Sequence, residues 1–182
     1  MNILLGVTGS IAAYKAAHLA SSFSKQGDRV KTIMTSAAAE FIRPLTFKSL
    51  TDNSVYTDLF DDSYRDNHVN LSEWGDILII APATANTLSK ITMGMADNML
   101  TCVALDFTGP AILVPAMHEN MWISPAVMEN ICVLKKRGFR LIEPVTGDLA
   151  GGKKGKGRMA SPETIVEFIK DLTEFKNRYG NS

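Results

Sequence analysis

The chain has 182 residues, 46% of them hydrophobic and 21% charged, with 19 Lys plus Arg balanced by 19 Asp plus Glu. That length and composition suit a single α/β domain with a sizeable core, and the zero net charge argues against a nucleic-acid binder. No apolar stretch is long enough to span a bilayer, and the opening MNILLGVTGS has no basic leader and runs straight into a strand. A cytoplasmic protein with no membrane partner is therefore the expectation, and Cys102 and Cys132 read as two buried thiols.

Taken in order, Asn2 to Thr8 reads as a strand, Gly9 and Ser10 as a turn, and Ile11 to Gln26 as a helix with Ser10 as its N-cap. Ala13, Ala16, Ala17, Ala20 and Phe23 keep helical spacing, and Gly27 suits the C′ position. Arg29 to Met34 is the second strand, completing a βαβ opening. The first loop is G-V-T-G-S rather than G-x-G-x-x-G, so the dinucleotide fingerprint is absent. It still offers N–H donors and a hydroxyl to a phosphate at a helix N-terminus. Thr35, Ser36 and Ala37 form a second polar turn, leading into a small-residue helix up to Phe41. Pro44 to Leu50 is a further short helix with Pro at N1. Tyr56 to Asn67, with Asp58, Asp61, Asp62 and Asp66, reads as a solvated acidic loop without the ligand spacing of a metal site.

The stretch His68 to Asn98 organises the rest. Ile77 to Ile80 is an apolar run fit for a strand buried on both faces, and Pro82 is expected to stop it. Thr84, Ala85 and Asn86 then stand where the next helix begins, the kind of place where an open α/β sheet presents donors to a ligand. His68 lies one short helix upstream, from where its imidazole is expected to reach the same crevice. Met99 to Leu105 continues the helical region. Ala111 to Val114 is another buried strand, ending in the polar turn Pro115 to Trp122. Ser124 and Pro125 open a helix to Arg137, closed by Gly138, and Arg140 to Ile142 is a last short strand. Gly147 to Gly157 holds five glycines and three lysines, a flexible loop or a flap over a ligand. Ser161 caps a final amphipathic helix from Pro162 to about Arg178.

Alternating short apolar strands and helices predict a single-domain, doubly wound parallel sheet of the Rossmann or flavodoxin-like three-layer αβα kind, running over residues 1–182. Strand C-termini then gather several polar turns along one edge. Of three histidines, His18 is expected to be structural, while His68 and His118 stand near the proposed crevice, where an imidazole can move a proton. No G-x-S-x-G elbow or Ser-His-Asp arrangement is present, which disfavours a hydrolase. Met93, Met95, Met99, Met117, Met121 and Trp122 are expected mostly in the core. These residues alone point to an α/β binding protein for a phosphorylated planar ligand, with a candidate base.

Four motifs then carry a resemblance. They are Gly6 to Lys15 (G-x-x-G-S-I-A-A-Y-K), His68 to Trp74 (HVNLSEW), Ala81 to Thr87 (APATANT) with Ala96 to Thr101 (ADNMLT), and Pro115 to Trp122 (PAMHENMW). Together they resemble the homo-oligomeric flavin-containing cysteine decarboxylases, over Asn2 to Met159, and most closely the coenzyme A pathway branch of that family. The resemblance implies FMN (or FAD) contacted by Gly9, Ser10, Ile11, Thr35, Ser36, Ala37, Thr84, Ala85, Asn86, Thr87 and Ala116. It implies His68 as the catalytic residue, and a small-molecule or peptide substrate ending in cysteine, met by Asn98, Met117, His118, Met121 and Lys153. It also implies a homo-oligomer, a trimer or a dodecamer built of trimers, with flavin at the subunit contact. Two positions depart from the family pattern. His118 replaces the Asn of P-x-M-N, and Gly151 stands where pathway enzymes carry a flap cysteine that returns a proton. Three readings stay open: a pathway decarboxylase with another proton donor, a peptidyl-cysteine decarboxylase stopping at the enethiol, or a relative such as a flavin prenyltransferase or a non-catalytic FMN-binding protein. His68 and Leu71 weigh against the prenyltransferase, which lacks that segment.

Overall fold

The computed structural model describes residues 1–60, 67–148, 152 and 154–179, with side chains followed to 174. In chain order the elements are β1 (Asn2–Val7), α1 (Ala13–Lys25), β2 (Arg29–Met34), α2 (Ser36–Ala39), α3 (Pro44–Thr51), β3 (Val55–Tyr56), α4 (His68–Trp74), β4 (Ile77–Ala83), α5 (Ala85–Met93), α6 (Met99–Asp106), β5 (Ala111–Pro115), α7 (Glu119–Trp122), α8 (Pro125–Lys136), β6 (Arg140–Leu141), β7 (Val145–Asp148), β8 (Lys154–Arg158) and α9 (Pro162–Tyr179). The first six strands form one sheet in the order β3-β2-β1-β4-β5-β6, and every pair in it is parallel. This is the doubly wound architecture, with its topological switch between β1 and β4.

Strand alternation explains why both faces are apolar. Ile3, Leu5 and Val7 of β1, Ile77 and Ile79 of β4, and Ile112 and Val114 of β5 pack with Ala13, Ala16, Ala20 and Phe23 of α1 and with Ile165 and Ile169 of α9. The intervening Leu4, Leu78, Ile80 and Leu113 pack on the other face against Leu71, Leu88, Ile91, Leu100, Val103 and Ile131. Period-two side chains with helices on both sides leave no solvated sheet face, hence continuous apolar runs. Gly6 lets α6 approach closely: a Cβ there would lie 2.5 Å from Leu100 Cδ1.

Most boundaries sit where the residues placed them. Gly27 adopts φ +87°, its N–H donates to Ser24 O, and the Asp28 N–H donates to Phe23 O, a Schellman closure. Pro44 and Pro125 occupy the first turns of α3 and α8, and Ser161 Oγ accepts the Thr164 N–H at 3.2 Å.

Several expectations are corrected. Ser10 does not cap α1. Its Oγ accepts the Ala12 N–H at 3.2 Å and its carbonyl accepts the Ala13 N–H, so a separate turn precedes the helix, which starts at Ala13. β4 does not stop at Pro82 but runs to Ala83, shifting register between Ile80 and Ala83. Pairing resumes beyond the proline, with Ala83 opposite Pro115 and the Ala83 carbonyl accepting the Ala116 N–H, while the Pro82 carbonyl is taken by the Thr8 hydroxyl. The helical region after Thr84 is two helices, broken where Gly94 turns left-handed at φ +69° and restarted by Asn98. β3 was not foreseen. The glycine-lysine segment is not a plain loop at either end, since β7 and β8 pair antiparallel as a ribbon. Gly151 and Lys153, and the acidic residues Asp61, Asp62 and Asp66, lie outside the described residues.

Candidate functional site

The site begins with a crosslink at the switch point. Thr8, buried at the end of β1, donates its hydroxyl to the Pro82 carbonyl at 2.6 Å and accepts the Thr84 N–H at 3.1 Å. Two polar turns are thereby held side by side. A third is pressed against the first: a Cβ on Gly9 would stand 2.5 Å from Ala37 Cβ and 3.1 Å from the Ala37 carbonyl oxygen. Only glycine permits that approach without a shift. Thr35 caps α2 by accepting the Ala38 N–H at 3.2 Å, and Thr84 caps α5 by accepting the Thr87 N–H at 3.4 Å. Each cap satisfies one first-turn donor and leaves the others, such as those of Ala85 and Asn86, for a ligand. Ala116 closes the fourth side, its N–H bonded to Ala83 O at 3.2 Å.

These turns surround one cavity of about 670 Å³, within the range of roughly 300–1,000 Å³ usual for small-molecule sites. Gly9, Ser10, Ile11, Thr35, Ser36 and Ala37 line it, as do Thr84, Ala85, Asn86, Thr87 and Ala116. The structure therefore brings every residue expected at the cofactor into one hollow. Asn98, Met117 and Met121 line it as well. Asn98 is not a free amide, however. Its Oδ1 accepts the Thr101 N–H at 3.1 Å, Thr101 Oγ1 accepts the Asn98 N–H at 3.2 Å, and its Nδ2 donates to Asp97 at 2.9 Å.

Three wall residues escaped the sequence reading: Phe41, Lys90 and Asp97. Lys90 and Asp97 are ion-paired at the rim, and the Lys90 ammonium hydrogen-bonded to Asp97 holds that carboxyl below its usual range. Their charges cancel, so the cavity's pull on an anion comes from helix N-termini.

A second cavity of about 450 Å³ shares the Ser10, Ile11, Ala116 and Met117 wall and extends beneath the ribbon. His118 faces this second space rather than the first. It caps α7, its Nδ1 accepting the Asn120 N–H at 3.4 Å, which assigns the ring hydrogen to Nε2. Lys15 and Arg158 line the same space, and nothing in the sequence reading had singled either out. Lys15 is buried, with Nζ donating to Met159 O at 2.7 Å. Burial, and then the nearby Arg158 guanidinium, lower its pKa. The ribbon is clamped to this wall. Met117 N–H donates to Gly157 O at 3.0 Å, and Lys156 N–H donates to Glu119 Oε1 at 2.9 Å. A Cβ on Gly157 would stand only 2.2 Å from Met117 O.

His68 is placed elsewhere. Asn67 caps α4 by accepting the Asn70 N–H at 3.0 Å, and α4 packs on α6. The imidazole faces a small hollow of about 260 Å³ lined by Ala96, Cys102, Leu105 and Asp106. The expectation that it reaches the crevice of its own chain is thus not met: the helix packs beside α6, not over the end of β4.

The side chains read as buried divide differently from expectation. Cys132 is exposed on α8 and Cys102 half-buried on α6, where burial and the Asp97 carboxylate raise its thiol pKa. Neither cysteine lines either of the two large cavities. His18 is exposed. Met99 and Trp122 are core residues, whereas Met93, at 75% exposure, and Met95 and Met121 stand in solvent, since Met93 and Met95 flank the Gly94 break. Among the described residues no cluster of metal-ligating side chains occurs, and no helix is long and apolar enough to cross a membrane.

Residues 1–174 match the family model described as Flavoprotein. The chain is 46% identical over 169 residues to the coenzyme A biosynthesis bifunctional protein CoaBC of Bacillus subtilis (strain 168), covering 92% of this chain and 42% of that protein. It thus spans about two fifths of the length of these bifunctional relatives. It is 43% identical over 173 residues to a probable phosphopantothenoylcysteine decarboxylase of Streptococcus mutans, covering 93% of this chain and 97% of that one. Among solved structures, a cysteine-to-serine variant of a PPC decarboxylase complexed with pantothenoylaminoethenethiol superposes with a TM-score of 0.87 at 33% identity, covering 95% of this chain and 98% of that chain. The FMN binding protein AtHal3 superposes at 0.84, also with 33% identity, covering 95% and 96%.

Proposed function

The chain belongs to the flavoprotein family, and we propose that it is an FMN-dependent carboxy-lyase acting on a cysteine-terminated substrate, 4′-phosphopantothenoylcysteine, to yield 4′-phosphopantetheine in coenzyme A biosynthesis. The observation that carries this reading is the convergence of three capped turns and Ala116 on one cavity at the switch point. The residues fit the cofactor: Gly9 has no room for a side chain, the turns expose small groups and N–H donors, and among the described residues no uncompensated carboxylate stands in the wall. Gly9, Ser10 and Ile11 would hold the phosphate, and Thr84 to Thr87 with Ala116 would line the rest of the cofactor. FMN, when bound, supplies a two-electron acceptor for the substrate carbon that bears sulfur.

The chain's own residues do the rest. Met117 and Met121 give a soft apolar wall against which the thiol end lies. His118, fixed by its cap with Nε2 as donor, orients the substrate from the neighbouring cavity. His68 removes the thiol proton, and because it does not line its own chain's cavity, it serves the cavity of an adjacent subunit in a homo-oligomer, a trimer or an assembly of trimers. The β7–β8 ribbon acts as the flap over the substrate. The place of action is the cytoplasm.

One sequence observation favours a second reading of the product. Gly151 stands where pathway enzymes carry the proton-returning cysteine, and neither Cys102 nor Cys132 lines either large cavity. The reaction then ends at the enethiol, as in peptidyl-cysteine decarboxylases.

The test is anaerobic addition of 4′-phosphopantothenoylcysteine, or of a cysteine-ending peptide, to the purified yellow protein. Release of CO2 with transient bleaching of the flavin supports the pathway reaction. Release with lasting bleaching supports the enethiol. A protein that is colourless and takes up no FMN or FAD overturns the whole reading.

A further inference from the structure

We propose that the cavity beneath the β7–β8 ribbon seats the phosphate monoester at the unreactive end of the substrate, with the Arg158 guanidinium at its rim and the Lys15 ammonium at its base. The proposal rests on the decarboxylase reading and adds to it a place and a partner for the substrate's permanent anion.

Two cations share this space and neither is neutralised. Lys15 is 9% exposed, yet among the described residues its Nζ has one carbonyl partner, Met159 O, and no carboxylate within 4.0 Å. An ammonium buried in this way is costly unless an anion joins it. Arg158 also makes no ion pair among the described residues. Its side chain lies along the ribbon, where a Cβ on Gly147 would meet Nη1 at 3.1 Å. Asp148 lines the same space, Glu163 acts on Lys15 only from a distance, and neither is paired with the two cations.

Geometry and chemistry together choose which anion enters. The two large cavities meet along Ser10, Ile11, Ala116 and Met117. A substrate reacting at Met117 in the first cavity therefore reaches the second with its far end. The carboxylate that leaves as CO2 loses its charge in the transition state. A cation pair gripping it would stabilise the ground state and oppose the reaction. A phosphate keeps its charge throughout, so two cations can hold it without that penalty, and a guanidinium fork matches its oxygens.

The test compares 4′-phosphopantothenoylcysteine with pantothenoylcysteine, using the flavin-loaded protein and its Arg158→Gln variant. The ratio of kcat/KM for the phosphorylated over the unphosphorylated substrate is expected to fall about 10- to 100-fold, as for loss of one charged hydrogen-bonding group, and mainly through KM. Arg158→Lys, which keeps the charge without the fork, is expected to fall between the two. Equal losses on both substrates would overturn the proposal, as would a folded Arg158→Gln protein that has lost its flavin, since the guanidinium would then serve the reacting end or the cofactor. Should wild type turn over neither substrate, calorimetry with 4′-phosphopantetheine and pantetheine decides separately. An Arg158-dependent preference for the phosphorylated compound upholds this site while the decarboxylase reading fails. No preference overturns the site.

Discussion

The hydroxyl of Thr8 accepts the backbone N–H of Thr84 at 3.1 Å while donating to the Pro82 carbonyl, so one buried side chain fixes the separation of the first and third ligand-facing turns. Thr8→Val keeps the shape and removes both bonds. A loss of about 1–3 kcal/mol is expected from the buried groups left unpaired, read as a Tm lowered by about 2–4 °C per kcal/mol, together with weaker uptake of FMN. Thr8→Ser should restore most of both. Wild-type flavin affinity in the valine variant would show that the crosslink does not hold the cavity.

Gly9 and Ala37 are in contact that leaves no volume for a methyl group. Gly9→Ala should push the first two turns apart and lower flavin affinity by about tenfold or more, the effect of roughly 1–3 kcal/mol of overpacking. Fluorescence of released flavin on dilution measures it. Ala37→Gly, combined with Gly9→Ala, should recover part of the loss.

His68→Asn is expected to keep FMN and to lose about 10²- to 10⁴-fold in turnover, the scale of a missing general base. Mixing it with a flavin-free variant, such as one with a bulky aromatic side chain in place of Gly9, gives a direct check on action across subunits: activity should reappear in the mixed oligomer. No recovery on mixing would place the base within its own chain.

Much of the sheet was legible because local rules acted alone. Gly27, Gly138, Pro44 and Pro125 end or begin helices through their own backbone preferences, and the apolar runs of β1, β4 and β5 need no partner to be recognised. What escaped depends on distant groups. Pro82 stays within β4 because Thr8 and Ala116, far off in sequence, take up the carbonyls around it. The ribbon has no alternating apolar pattern, and it is held by Gly157 against Met117 and by Lys156 against Glu119. Lys15 stood inside a motif already noted, five residues after Ser10, but its burial depends on Met159 near the other end of the chain. His68 sits on the expected helix but faces a hollow beside α6 rather than the large cavity of its own chain, because no sequence period tells which side of α6 that helix takes.

Lys15 makes stability depend on pH in a predictable sense. Its folded pKa lies below the ordinary 10.5, burial being the main cause. Between the two values the unfolded chain binds more protons, so this group's contribution to stability rises with pH. At neutral pH the full penalty is present. Lys15→Met should therefore gain on wild type at pH 7 and lose that advantage towards pH 10, as followed by urea unfolding. A difference that is flat with pH would dissociate the buried ammonium from stability.

His118→Asn keeps an acceptor for the Asn120 N–H and a donor beyond it, whereas His118→Ala keeps neither. The asparagine variant should turn over near wild type, and the alanine variant should lose α7 capping worth about 0.5–2 kcal/mol along with a raised KM. Paired melting curves and steady-state kinetics separate the two effects.

The mutual cancellation of Lys90 and Asp97 at the mouth of the cavity proposed for FMN bears on how the cofactor arrives. The pair itself puts no net charge at that entrance, so replacing both partners together, Lys90→Gln with Asp97→Asn, should change the rate of encounter and its response to potassium chloride little. Lys90→Gln would leave Asp97 exposed as a lone repulsive charge, and association would then quicken as added electrolyte shortens the reach of that repulsion.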